Sequence, residues 1–157
     1  MSPYTNESTI DVIKPVSGAA LFDRKDEVNK IIELVKRGEH VLIIGQRKVG
    51  KTSILFEVLR KLKGEYKTLY YYVPEASRAE IFLRDFSRTI LLSLVDGEEG
   101  LSIDELLDKI GKESAEVFAD AKRIVALGEN VENFRDILVL YDKILGKLKV
   151  RGILALD

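Results

Sequence analysis

The sequence of 157 residues contains no cysteine, which excludes disulfides and cysteine-ligated zinc or iron–sulfur sites. Its single histidine, His40, argues equally against a metal centre built from imidazoles, and His40 is assigned no role. The opening residues MSPYTNEST place no cationic stretch ahead of an apolar run. The longest apolar stretches, such as 90–95, fall far short of the roughly 18 residues that a bilayer span needs, so no membrane partner is expected and the chain reads as cytoplasmic. Net charge is scarce as well. With 25 Lys and Arg against 26 Asp and Glu, the balance is −1, which argues against a uniformly basic nucleic-acid binder, and a 46% hydrophobic content argues against disorder.

The length suits one domain with a sizeable core. Charge is segregated along it: residues 24–67 carry 12 basic and 6 acidic side chains, whereas 68–157 carry 12 and 17. An anionic ligand is therefore expected in the first half, although a solvated surface gives the same asymmetry.

Residues 1–20 hold two of the three prolines and no sustained periodicity, and read as a lead-in to a domain over 21–157. A first helix follows, with Asp23 as N-cap, Val28, Ile31, Ile32 and Val35 on one face, and Lys36, Arg37 and Gly38 as its stop. Residues 41–44 form a short continuous apolar run closed by Gly45, which fits a strand buried on both faces. A helix over 51–63 carries Ile54, Leu55, Val58, Leu59 and Leu62, and a strand over 67–73 ends at Pro74. Next, Ile81, Phe82, Phe86, Ile90 and Leu94 form a helical face broken by Gly97 and Gly100. Residues 102–127 read as one helix or two, with Gly111 the interruption. From Asn130 the residues Phe134, Ile137, Leu138, Tyr141, Ile144, Leu145 and Leu148 recur at helical spacing, and 152–157 read as another buried strand. This order predicts an α/β fold with a parallel sheet.

The segment GQRKVGKT at 45–52 matches the phosphate-binding pattern G-x-x-x-x-G-K-[ST] at every required position, between an apolar strand and an amphipathic helix. Each residue type has a physical reason. Gly45 and Gly50 permit backbone angles that let successive N–H groups converge on phosphate oxygens. The helix beginning near Lys51 adds the positive end of its dipole. Lys51 is expected to reach the β- and γ-phosphates, and the Thr52 hydroxyl to ligate Mg²⁺. Gln46, Arg47, Lys48, Val49 and Ser53 complete the expected nucleotide-binding set. A second acid belongs to such a site, an aspartate at the end of an apolar strand. Asp157, after Ile153, Leu154, Ala155 and Leu156, is the candidate for orienting Mg²⁺, although an ordinary strand end has the same form.

Phe22-Asp23-Arg24 with its acidic amphipathic helix, followed by VLIIGQRKVGKTSIL at 41–55, resembles the opening of the archaeal ATPase family, within the AAA+-like and STAND P-loop ATPases. The resemblance covers 21–55 and reaches Asp157 if that residue is the Walker B aspartate. It implies a P-loop three-layer α/β/α fold with a helical insert, incomplete at its C-terminal end, together with ATP and Mg²⁺ as ligands. It also implies Lys51 and Asp157 as catalytic residues and an ATPase that couples binding and hydrolysis to conformational change. Two departures stand out. Lys25 occupies the position where the family's box carries Glu, and the family's catalytic Glu, sensor, arginine finger and winged-helix region, through which DNA or a protein would be engaged, fall beyond Asp157. In such proteins the P-loop strand and the Walker B strand are not neighbours, so an isolated chain is expected to expose strand edges and to be oligomeric, poorly soluble or partly unfolded, unless the two strands pair directly.

Other features have plainer readings. Tyr70, Tyr71 and Tyr72 fit the two faces of a sheet strand better than a base-stacking platform. Glu98, Glu99, Asp104 and Glu105 fit a solvated loop and helix start. A GTPase would show D-x-x-G and N-K-x-D, and neither occurs; the nearest approach is DGEEG at 96–100. A nucleotide-dependent switch that recruits DNA or protein with little turnover remains the alternative to the ATPase.

Overall fold

A computed structural model describes residues 10–13, 24–46, 48–74, 78–95 and 100–157. The chain divides into two compact units, Met1–Lys63 and Gly64–Asp157.

In the first unit, strand β1 (Ile10–Ile13) pairs in parallel with β2 (His40–Ile43), with Ile10 opposite His40 and Ile13 opposite Ile43. Helix α1 (Lys25–Lys36) precedes β2 and packs against it, burying Val28, Ile31 and Leu34. It opens with Asp26 and Glu27, which suit the positive end of its dipole. It closes on Gly38, whose φ of +83° lets Gly38 N donate to Val35 O and Glu39 N to Leu34 O, so the last carbonyls are satisfied. Asp23, the expected N-cap, lies outside the described residues; Arg24 holds the N-cap position without a side-chain capping bond. Helix α2 (Lys51–Leu62) packs on α1 and buries Ile54, Val58, Leu59 and Leu62.

The second unit pairs β3 (Lys67–Tyr71) in parallel with β4 (Gly152–Leu156) and carries helices α3 (Ala79–Leu94), α4 (Ile103–Glu113), α5 (Ala115–Leu127) and α6 (Phe134–Lys147). Its core is mainly helix on helix, with Leu69 and Tyr71 of β3 buried in it and Leu154 of β4 packed against it. Leu83, Phe86, Ile90, Leu91 and Leu94 form the inner face of α3, and Ile81, expected there, is 60% exposed. Gly111 does not interrupt a helix. It sits inside α4, where a Cβ would lie 3.2 Å from the Phe118 ring, so its smallness lets α5 come close. The break falls at Ser114, whose hydroxyl accepts from Val117 N at 3.3 Å and starts α5. Ser102 and Glu105 form a reciprocal capping box at the start of α4.

The expected three-layer α/β/α fold around one parallel sheet is not formed. The described residues make six α-helices and two separate two-stranded parallel sheets, β1–β2 and β3–β4. The expected strands buried on both faces are the reason for the discrepancy. In β2 only Val41 and Ile43 are partly covered, while His40 and Leu42 are exposed. In β4 only Ala155 is buried. Apolar composition suggested helices over both faces of each strand, but the helices of the second unit bury their apolar stripes chiefly against one another. No helix among the described residues is long and apolar enough to cross a membrane.

Candidate functional site

The chain leaves β2 through Ile44, Gly45 and Gln46 in irregular backbone, and re-enters regular structure at Lys51. Arg47 lies outside the described residues. Lys48 has φ +64° and Gly50 has φ +85° and ψ 22°, so the loop is turned by two left-handed residues within three positions. At Gly50 the glycine carries no Cβ penalty; at Lys48 the left-handed backbone is adopted despite a side chain. Val49 is half-buried between them.

Gly50 is the N-cap of α2, and no side chain caps that end. Its carbonyl accepts from Ile54 N at 3.0 Å, which closes the first turn. That turn contains Lys51, Thr52 and Ser53 and no acidic residue. The first N–H groups of α2 and the positive end of its dipole thus lie beside a cationic side chain, with no carboxylate in the turn to offset them. Lys51 reaches back over the loop. Its ammonium donates to Gly45 O at 2.7 Å and to Gln46 O at 2.8 Å, tying both ends of the loop together. Thr52 and Ser53 are exposed on the same turn.

Beside this helix start lies a cavity of about 200 Å³. Val28 and Ile54 are its buried apolar lining, Gly50 and Ser53 its border with the loop, and Arg24, Lys25, Glu57 and Lys61 its polar surround. The Nε of Arg24 is buried and has no hydrogen-bond partner among the described residues. Glu57 is engaged in a two-point contact with Arg60, at 2.9 and 2.7 Å, which holds its carboxyl below the usual range. Sequence reasoning missed this cavity. Its only trace there was Arg24 in the box before α1 and the small residues opening α2.

Asp157 follows β4 in the second unit. Its N–H donates to Tyr71 O at 3.0 Å and its carbonyl accepts from Val73 N at 2.8 Å, so its backbone is anchored to β3 and to the residues just after it. The Tyr70 hydroxyl donates to Asp157 Oδ2 at 3.0 Å. The pKa of Tyr70 is raised, first by burial and then by this carboxylate. Tyr71 is buried in the core and Tyr72 is 58% exposed beyond the strand end. Of the expected site residues, the structure therefore gathers Gly45, Gln46, Lys48, Val49, Gly50, Lys51, Thr52 and Ser53 around one helix start. Asp157 belongs to the second unit, against β3.

No family model, curated protein or solved structure matches the chain.

Proposed function

We propose that residues 45–53 bind the phosphates of ATP, with Mg²⁺, in the nucleotide-binding domain of a cytoplasmic ATPase that couples binding and hydrolysis to conformational change. The observation that carries this reading is the arrangement at the start of α2: left-handed Gly50 at an uncapped helix end, with the Lys51 ammonium folded over the loop onto Gly45 and Gln46. Phosphate oxygens are acceptors that match both sets of donors. The Lys51 ammonium has three N–H donors, two of which meet loop carbonyls, and in this reading it would serve the β- and γ-phosphates as a point charge. The neighbouring cavity supports a nucleotide over inorganic phosphate, because Val28 and Ile54 give it an apolar lining against which a base could pack.

Thr52 is the residue of this loop that would hold Mg²⁺. A hydroxyl is a hard oxygen donor, and Mg²⁺ is commonly held by one or two protein oxygens together with phosphate oxygens and water. Among the described residues no three His, Cys, Asp or Glu side chains gather into a metal site of their own. When bound, Mg²⁺ neutralises charge on the phosphates during transfer. The chain's own part is to orient: the α2 N–H groups and Lys51 would fix the phosphates. A DNA or protein partner, or further copies of the chain, would receive the conformational change.

Calorimetric titration with MgATP and MgGTP tests the reading. One ATP site per chain, bound more tightly than GTP, is expected; heats indistinguishable from dilution for both nucleotides would refute it.

A further inference from the structure

Ser53, Glu57 and Lys61 recur every four residues on α2, so they share one face of the helix, and that face borders the cavity beside the loop. Among the described residues Glu57 is the one carboxylate lining this cavity; the other charged groups around it, Arg24, Lys25 and Lys61, are cations. Glu57 stands six residues beyond Lys51, about 9 Å along the helix axis. A ligand with its phosphates at the start of α2 and its base against Val28 and Ile54 therefore extends towards it.

Both oxygens of Glu57 are already engaged on one side. Arg60 Nε donates to Oε2 at 2.9 Å and Arg60 Nη2 to Oε1 at 2.7 Å, a fork on the edge where the two carboxylate oxygens lie side by side. A carboxylate has about four lone-pair sites, and the fork uses two of them. What remains is one outer site on each oxygen. The outer sites point away from each other, so a ligand meets Glu57 through a single N–H.

We infer that Glu57 is a specificity-determining residue for the base: an outer lone pair of its carboxylate accepts one N–H of the 6-amino group of adenine. The inference rests on the ATP reading above. Guanine fails at this carboxylate for a geometric reason. Its ring N1–H and 2-amino group lie side by side and pair with a carboxylate through both oxygens together, on the edge that Arg60 fills. Its 6-position carries an acceptor oxygen, which a carboxylate repels.

Calorimetric titration of the whole chain with MgATP, MgGTP and the Mg²⁺ complex of purine riboside triphosphate, which has hydrogen where adenine has the amine, tests this. The parent is expected to bind ATP about tenfold more tightly than the amine-free analogue, the size of one hydrogen bond to a charged group. In Glu57→Ala that preference is expected to vanish. The ratio of affinities is the informative quantity, because removing a negative charge near the phosphates strengthens all three nucleotides alike. Glu33→Ala, which removes an exposed carboxylate of α1 outside the cavity lining, is expected to leave the ratio intact. In Arg60→Ala the preference for ATP over GTP is expected to shrink, since the two-oxygen edge is opened to guanine. Thermal melts of each variant report folding separately. A parent without the preference for ATP over the analogue, a preference kept in folded Glu57→Ala, or an ATP-to-GTP ratio unchanged in Arg60→Ala would overturn this inference alone. Failure of the parent to bind any of the three would overturn it together with the reading of the loop.

Discussion

Lys147 Nζ lies 2.7 Å from Oδ2 of Asp120, a carboxylate only 4% exposed on the face of α5 that meets α6. Lys143 Nζ takes the other oxygen at 3.2 Å, and Lys147 also reaches Glu116 at 3.0 Å. The lysine hydrogen bonds hold the Asp120 carboxyl below its ordinary pKa, with that of Lys147 foremost, against the opposing effect of burial; Lys147 is raised in turn, chiefly by Asp120. These residues tie α5 to α6 through charge, beside the apolar cluster of the second unit.

Replacing Asp120 by Asn should cost about 1–3 kcal/mol in urea unfolding at neutral pH, because two charge-assisted hydrogen bonds weaken while the lysines can turn to water. Replacing both lysines by Met should cost more than Asp120→Asn, since a buried carboxylate is then left without its cations. The pH dependence follows from the direction of the shifts. A depressed carboxyl contributes stability above its unfolded value, about 3.9, and that contribution disappears as pH falls below it. A raised lysine contributes below about 10.4 and loses its part as pH climbs past that value. Stability profiles of the parent and of Asp120→Asn should therefore converge at the acid end.

Lys149 has φ +55° at the end of α6, where Lys149 N donates to Gly146 O and Val150 N to Leu145 O, each at 3.1 Å. This is the closing turn that glycine normally makes, as Gly38 does for α1. Lys149→Gly should raise stability by about 1 kcal/mol in chemical denaturation, the relief of a left-handed L-residue set against glycine's greater unfolded entropy.

Ser87 is 2% exposed in α3, and its hydroxyl has no hydrogen-bond partner among the described residues. A Cβ on Gly128 would stand 2.6 Å from that oxygen. Ser87→Ala should be neutral or stabilising by up to about 1 kcal/mol, because an unsatisfied buried hydroxyl is removed. Gly128→Ala should destabilise, and less so in the Ser87→Ala background. Additive denaturation free energies for the pair would contradict the contact.

Helical periodicity in this molecule was legible in its sequence, though the break between α4 and α5 at Ser114 and the exposure of Ile81 were not. Helices over 51–63 and from Phe134 appear with their apolar faces because 3.6-residue periodicity is a short-range signal, and the buried residues Ile54, Val58, Ile137 and Ile144 are among those it marks. The phosphate-loop pattern is contiguous, so its glycines and lysine could be named before any contact was known. What depends on partners distant in sequence was not legible. The strand Ile10–Ile13 carries Asp11 in a non-periodic stretch, and only its pairing with β2 defines it. Whether β2 is covered on one face or two depends on where helices pack, and the apolar run at 41–44 could not say. The Tyr70–Asp157 contact likewise exists only through the register of β3 on β4.

The central claim is that Lys51 and the start of α2 form a phosphate site, and one comparison tests it most directly: calorimetric titration of MgATP into the parent chain and into Lys51→Ala. Lys51 holds Gly45 O and Gln46 O, so thermal melts and circular dichroism of both proteins establish that the fold is kept. Loss of one charge-assisted contact predicts ATP binding weakened by about 1.5–3 kcal/mol, roughly 10- to 150-fold. Equal ATP affinity in the two folded proteins would contradict the account.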